Sequence, residues 1–487
     1  MKSVLLIFPG NIENQPRLPF SILVLASHLR KKNIPVEVLD TRVQPYNNVN
    51  YDKYMLIGVS AKTGEQLSSA VKLCKYIKSK SKTPIVWGGP HATFFPEQTC
   101  KSELVDFVVR SEGEETLYEL VKAIQEKKEF EKIKGLTFKR DGKVISNEDR
   151  EFIDMNKLEI PAYDLVNFSD YIDSVKYLTI ETSRGCPHRC SFCYVHQFHK
   201  RKWRFKSVQK VISEIKEIRK KYGANSFFIA DDNFFVIKSR VIELCNEIVK
   251  NQLNIKIFAQ ARADYFANYS EEELNLIAKS GFEFLSIGAE SGSQRVLDMI
   301  NKDIKVEDIF NSAKKCINHK IRPVYSFVIG IPGERLNDLN VTLDAYQKLR
   351  KISKNVEVSG LNIFTPYPGT PLYEEAIKNG YKPYKTLEGW ADWKFSDLSN
   401  ITWLTKKSKN NLQTLAKLSL FICIRDRLNS YGKKFKRKKI GTLQRNILWY
   451  LGSPILSLDA AIRLKLRFFS LGYEWLLFGK IVSEMNG

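Results

Sequence analysis

The chain has no run of apolar residues long enough for a transmembrane helix, which argues against a membrane-spanning protein. It also has no disulfide framework. Of its eight cysteines, Cys74, Cys100, Cys245, Cys316 and Cys423 are scattered singly through apolar or helical contexts, the pattern of a reducing, cytoplasmic compartment. No signal-peptide pattern precedes the strand-like Val4–Phe8. Acidic residues are outnumbered, 54 against 77 basic ones, for a formal net charge of +23. Such an excess suits nucleic acid, an anionic membrane face or acidic substrates. The even spread of Lys and Asn along the chain explains it as well, and no specific nucleic acid is expected. The 43% hydrophobic and 27% charged content is that of an ordinary globular protein, and 487 residues are enough for two or three domains.

The three remaining cysteines stand together in Cys186-Pro187-His188-Arg189-Cys190-Ser191-Phe192-Cys193, directly after the strand-like Tyr177–Thr182. Three thiolates within eight residues can converge on a soft metal centre. No nearby cysteine offers a fourth ligand, so an iron–sulfur cubane here keeps one iron open for a co-substrate. Spacing alone also allows a zinc site completed by His188, His196 or His199, although zinc sites usually show paired C-x-x-C halves. Inert core thiols fit poorly beside Pro, His, Arg and Ser.

The C-x-x-x-C-x-x-C spacing, with an aromatic residue before the last Cys and a strand before the first, resembles the signature of the radical S-adenosylmethionine (SAM) enzymes. The resemblance implies a 4Fe-4S cluster on Cys186, Cys190 and Cys193, with SAM chelating the fourth iron. It further implies reductive cleavage of SAM to a 5′-deoxyadenosyl radical, with the electron supplied by a donor such as flavodoxin or ferredoxin.

Upstream, strands expected at Val4–Phe8, Val36–Leu39, Met55–Ser60, Ile85–Trp87 and Phe107–Val109 alternate with helices at Phe20–Lys31, Glu65–Ser79 and Glu114–Gln125. This is the rhythm of a doubly wound parallel sheet, a flavodoxin- or Rossmann-like domain over residues 1–130. Ligands on such sheets bind at the carboxyl ends of the strands. Those ends carry Ser60 and Thr63, then Gly88-Gly89-Pro90-His91-Ala92-Thr93, then Arg110-Ser111-Glu112-Gly113-Glu114. With Arg17-Leu18-Pro19-Phe20, these segments resemble the cobalamin-binding domain of the cobalamin-dependent radical SAM family, which usually has Gly where this chain has Ser111. The resemblance implies cobalamin bound near Ser60, Thr63, Gly88, Gly89, His91, Glu112 and Gly113. The D-x-H-x-x-G motif of other cobalamin enzymes is absent, so cobalt is expected to lack a protein histidine, and His91 to contact the cofactor tail or serve the structure.

Residues 131–175 are expected to be a linker, with an Asp141-Gly142 hairpin. From 176 to 375, six strand–helix units fit a partial (β/α)6 TIM-type barrel with its chemistry at the strand C-termini. Polar clusters fall at those ends: Asp231-Asp232-Asn233, Gln260-Ala261-Arg262, Gly288-Ala289-Glu290, Gly330–Glu334 and Thr365–Thr370. By the resemblance, Asp231 or Asp232 accepts from the SAM amino group and Arg262 forks onto its carboxylate. Glu290 lies where the family holds SAM polar groups, Gln260 is a further cofactor-binding candidate beside Arg262, and Phe192 and Tyr194 pack near adenine. Residues 376–487 are expected to form a helical, basic cap. The run Gly432–Lys439 beside aromatic amphipathic stretches also suits peripheral contact with an anionic membrane, in which case the substrate is lipid-like.

The two-domain order implies a cobalamin-dependent methyltransferase acting on an unactivated carbon or phosphorus of a small-molecule, natural-product or lipid substrate. A radical SAM cyclase or rearrangement enzyme is the alternative within the superfamily, and a non-catalytic metal- or nucleic-acid-binding protein the alternative outside it. The methylthiotransferases fit less well: they carry an N-terminal cysteine trio, whereas Cys74 and Cys100 are isolated.

Overall fold

The computed structural model describes residues 2–13, 16–171, 177–395, 397–431 and 462–463. The first sheet is built from β1 (Ser3–Phe8), β2 (Val36–Asp40), β3 (Tyr54–Ser60), β4 (Ile85–Gly88) and β5 (Phe107–Val109), all parallel. Its helices are α1 (Phe20–Lys31), α2 (Glu65–Lys80), the short α3 (Pro90–Phe94) and α4 (Pro96–Lys101), and α5 (Glu114–Glu126). Strands such as Val4-Leu5-Leu6-Ile7 are apolar on both faces because helices cover both. The hairpin expected in the linker is instead part of this sheet. β6 (Leu136–Arg140) pairs antiparallel with β5, and β7 (Lys143–Ser146) with β6, giving the strand order 2-1-3-4-5-6-7.

The second sheet has six parallel strands: β8 (Leu178–Ile180), β11 (Ser226–Ile229), β12 (Lys256–Arg262), β13 (Phe282–Glu290), β14 (Arg322–Ile329) and β15 (Glu357–Ile363). Between β8 and β11 lie the two-stranded ribbon β9 (Ser183–Arg184) and β10 (Arg204–Phe205), with α6 (Val195–Phe198) between them and α7 (Val208–Tyr222) after them. The outer layer continues with α8 (Lys238–Lys250), α9 (Ala263–Asn268), α10 (Glu271–Lys279), α11 (Gln294–Met299), α12 (Val306–Asn318) and α13 (Leu336–Ile352). Side chains alternate strictly: Phe227, Ile229, Ile257 and Ala259 are buried in the layer beneath the helices, whereas Phe228, Phe258 and Phe284 line the inner face, with ring centroids 5.0 and 5.7 Å apart.

The segment after the barrel divides its work. α14 (Pro371–Lys378) and α15 (Leu387–Trp390) return to the first domain, where Tyr373, Leu387, Trp390 and Trp393 join the core around Trp87 and Cys74. α16 (Lys406–Tyr431) packs on β15, the strand at the open edge of the barrel. There the Ser419 hydroxyl accepts the Leu361 amide at 2.9 Å, satisfying a donor at the edge of the sheet. The helical cap is therefore an edge cover. The run Gly432–Lys439 and the amphipathic stretches after it lie outside the described residues. Among the described residues no helix is long and apolar enough to cross a membrane.

Candidate functional site

The three clustered cysteines occupy the loop between β9 and α6. Cys190 is buried, and Cys186 and Cys193 are half-buried. Among the described residues no three His, Cys, Asp or Glu side chains crowd around the position of a single ion. Polar donors aim at the sulfurs, as cluster ligands require. Asn233 Nδ2 lies 3.5 Å from Cys186 Sγ, and Arg262 Nη1 lies 3.8 Å from Cys190 Sγ. Burial pushes the Cys193 thiol up to about 12 and raises that of Cys190 as well. Bound iron would hold these groups as thiolates at neutral pH.

The loop is fixed from every side. Ser191 donates its amide to Ile300 O at 2.8 Å, its carbonyl accepts from Leu372 N at 2.9 Å, and its hydroxyl accepts from Asn301 at 2.7 Å. His188 meets the Tyr265 hydroxyl at 2.5 Å, and His196 the Cys190 carbonyl at 3.1 Å. The histidines weighed as zinc partners are thus engaged with tyrosine and backbone, and His199 faces Asp232 and Glu112.

The SAM-side residues differ in how free they are. Asp231 is buried, and its carboxylate accepts from Thr182 N, Thr182 Oγ1 and Ser183 Oγ, each at 2.6 Å. It braces the chain entering the cluster loop, leaving little capacity for an external amine. Asp232 accepts from Gly185 N at 2.9 Å and faces the space between the domains, and burial pushes its carboxyl up to about 6. The Arg262 fork is already engaged by Asp264 (3.0 Å) and by the carbonyls of Lys302 (2.6 Å) and Asp303 (3.2 Å), so its role here is to orient the Cys190 side of the loop. Gln260 is exposed on the inner strand face. Glu290 is buried, pairs with Lys302 at 2.7 Å, and sits on a bulge with φ of 60°. A non-glycine residue held there is strain of the kind found at binding sites. Phe192 lies under the Lys302 ammonium, 5.7 Å from ring centroid to nitrogen.

A cavity of about 440 Å3, of ligand-binding size, opens between the two domains. Ser60, Gly88, Gly89, Ser111, Glu112 and Gly113 line it from the first domain. Glu181, Arg184, Tyr194, Phe198, His199 and Asp232 line it from the barrel. Gly89 has φ of 99° and ψ of −179°, a conformation essentially restricted to glycine, and a Cβ there would fall 2.6 Å from the Ala61 carbonyl. Ser111 adopts φ of 59°, which explains why the related pattern has Gly at this place, and its buried hydroxyl has no hydrogen-bond partner among the described residues. A glycine-lined floor with an unpartnered hydroxyl fits a bulky ligand approaching the backbone closely.

Thr63 and His91 do not line this cavity. They bond to each other at 2.9 Å, and His91 is packed edge-on against Phe95 and Trp390. Burial drives the imidazole down to about 3. His91 is structural here, in keeping with a cobalt that lacks a protein histidine. Tyr194 faces the interdomain cavity and stacks on Tyr367 at 5.3 Å.

Across the cavity mouth runs an ion network that the sequence reading missed. Glu112 accepts from Arg204 Nη2 at 2.6 Å, Arg204 Nη1 at 3.0 Å and Ile153 N at 3.0 Å, and lies 3.4 Å from Arg184. Arg184 also pairs with Glu114 at 2.8 Å and Glu181 at 3.0 Å. Burial is the largest influence on Glu112, but the two guanidiniums outweigh it and hold its carboxyl below the usual range. At Glu181 burial wins and the carboxyl rises to about 7. Glu112 and Glu114 stand at a strand end expected to face a ligand, but nothing local in the sequence pairs them with Arg184 and Arg204.

Residues 180–346 match the radical SAM superfamily, and residues 17–121 match the B12 binding domain. An uncharacterized methyltransferase of Pyrococcus horikoshii is 30% identical over 443 residues, spanning 88% of this chain and 93% of the relative. This chain belongs to the cobalamin-dependent radical SAM enzymes. Members of that family work with a 4Fe-4S cluster, SAM and cobalamin, and the loop and cavity described above fit these groups. The anaerobic magnesium-protoporphyrin IX monomethyl ester cyclase of Cereibacter sphaeroides is 28% identical over 300 residues, which are 60% of this chain and 48% of the cyclase. Among solved structures, the cobalamin-dependent SAM radical enzyme OxsB with aqua-cobalamin bound superposes with a TM-score of 0.70 at 21% identity, covering 96% of this chain and 72% of OxsB. The fold is thus shared by a radical SAM enzyme of the same domain order.

Proposed function

We propose that this enzyme transfers a methyl group to an unactivated carbon, or to a phosphorus centre, of a small-molecule or lipid substrate. One observation carries the reading: the segment that holds the cluster ligands is also a wall of the interdomain cavity. Tyr194 directly follows Cys193 and lines the cavity, together with Glu181, Arg184 and His199 from the flanking segments. A substrate placed at this wall would be within reach of both cofactor sites. When bound, the cluster with SAM supplies a carbon-centred radical and cobalamin supplies a methyl donor. The protein's own contribution is placement and shielding. Asp231 and Arg262 fix the cluster loop, Glu112 ties the two domains, and the aromatic inner face of Phe228, Phe258 and Phe284 keeps the barrel interior apolar. The Pyrococcus relative, a methyltransferase by name, supports the same reading.

Similarity to the ester cyclase favours a second reading, radical cyclisation without methyl transfer. Methyl-labelled SAM separates the two before any substrate is known. Protein reconstituted anaerobically with iron, sulfide and cobalamin, and reduced so that the corrinoid reaches the Co(I) state, should move the label onto the corrinoid and release S-adenosylhomocysteine. A corrinoid that stays unlabelled while SAM is cleaved would favour cyclisation.

A further inference from the structure

α6 ends in a turn that no part of the site so far explains. Lys200 and Arg201 both adopt left-handed backbone conformations, with φ of 49° and 58°. Two consecutive non-glycine residues in that region are costly, and such strain persists only where surrounding structure enforces it. Here it is enforced by four backbone hydrogen bonds: His199 N to Val195 O, Lys200 N to Gln197 O, Arg201 N to His196 O and Lys202 N to His199 O, at 2.8–3.2 Å. The turn rests directly on the start of the cluster loop. Arg201 Nε donates to the Pro187 carbonyl at 3.2 Å, one residue from Cys186. Gly185, with φ of 85°, lies so close beneath that a Cβ would meet Lys202 O at 2.3 Å.

The consequence is a basic surface beside the start of the cluster loop. Lys200, Arg201 and Lys202 are exposed, and Arg189, inside the cysteine motif, is 60% exposed. The facing acids are few. Asp149 pairs with Lys200 at 2.9 Å, and Asp303 lies 3.4 Å from Arg189. Lys202 forms no ion pair among the described residues, and Arg201 has only the Pro187 carbonyl.

We infer that the Lys200–Lys202 turn, with Arg189, is the docking surface for an acidic one-electron carrier protein that reduces the cluster. The inference rests on the radical SAM reading and names the partner of that same site. In the step it serves, one electron leaves the carrier's flavin or iron–sulfur centre and enters the cluster. The carrier is oxidised by one electron, the cluster is reduced by one, and no bond or proton changes hands. Charge on a docking rim acts mainly on encounter and on its salt dependence, so the lysines speed association while their strained turn holds them beside the start of the cluster loop.

The test compares two reductants on the fully reconstituted enzyme: sodium dithionite and a reduced flavodoxin as the acidic carrier. The variant is Lys200→Gln/Lys202→Gln, and the charge-matched control is Lys279→Gln/Lys314→Gln on exposed positions of α10 and α12. SAM cleavage to 5′-deoxyadenosine is the readout. With dithionite, all three proteins should react alike. With flavodoxin, the Lys200/Lys202 variant alone should show a KM for the carrier raised about threefold or more at low salt, with a flattened salt dependence. An unchanged KM, or an equal rise in the control, would overturn the docking surface. Loss of the dithionite reaction in the variant alone would also overturn it, because the lysines would then serve the cluster site itself. Failure of the wild-type protein with dithionite would instead count against the radical SAM reading.

Discussion

Replacing Glu112 by Ala tests how much of the anchoring of the first domain to the cluster loop rests on this carboxylate, Glu114 supplying a second pair to Arg184. Glu112 is buried and accepts two bonds from Arg204 and one from Ile153 N. Arg184 would keep Glu114 and Glu181, so its loss is small. Arg204 would keep the Ile153 carbonyl, the face of Phe152 and His199, none of them charged at pH 7, since burial lowers His199 to about 4. Breaking a buried pair and leaving the partner charged costs about 3–5 kcal/mol. Arg204 retains 19% exposure, so about 2–4 kcal/mol is expected. For a unit of this size that corresponds to a fall in Tm of roughly 5–15 °C. Glu112→Gln keeps the shape and some acceptor capacity and should lose less than half as much.

The pH dependence gives the same reasoning a second edge. The folded-state pKa of Glu112 lies below its ordinary value near 4.5. Its contribution is therefore complete above about pH 4.5 and lost as pH falls through the lowered folded value. Differential scanning calorimetry of the wild type and Glu112→Ala should show a Tm gap that is constant from pH 8 to 5 and shrinks below pH 4.5. A variant melting within about 1 °C of the wild type at pH 7 would refute the anchoring role.

Three further outcomes are expected. Gly89→Ala places a Cβ 2.6 Å from Ala61 O at a glycine-only conformation and should abolish cobalamin retention while the iron–sulfur absorbance persists; retained cobalamin would contradict the proposed floor of the cavity. The triple variant Cys186→Ala/Cys190→Ala/Cys193→Ala should lose the iron–sulfur absorbance and SAM cleavage yet keep cobalamin, and joint loss would show that the two sites are not separable. Glu334 carries a carboxyl that burial raises to about 7, so wild-type stability should fall relative to Glu334→Gln as pH rises from about 4.5 to 7 and stay level above; parallel Tm profiles of the two proteins would count against a buried acid there.

Much of this architecture was legible because periodicity and turn chemistry are local. The helix at Phe20–Lys31 and the strand ends carrying Gly88-Gly89 and Glu112-Gly113 lie where the apolar rhythm puts them. The cysteine spacing named the cluster loop directly. What the sequence hid was pairing at a distance. Nothing local shows that Leu136–Arg140 joins the first sheet, because Arg140-Asp141-Gly142 announces a hairpin and not its neighbour. Asp231 and Asp232 are adjacent in sequence, yet opposite side-chain directions give one to Thr182 and Ser183 and the other to the cavity. His91 looked available beside two glycines, but Trp390, 299 positions later, closes over it. Arg262 had the geometry for a carboxylate, and Asp264, two residues on, takes it first.

The most direct test of the central claim is the product pair formed when the reconstituted enzyme turns over SAM with a methyl-accepting substrate under anaerobic reduction. A cobalamin-dependent radical methyltransferase predicts S-adenosylhomocysteine and 5′-deoxyadenosine in comparable amounts, both dependent on added cobalamin. 5′-Deoxyadenosine without S-adenosylhomocysteine, at a rate indifferent to cobalamin, would contradict it.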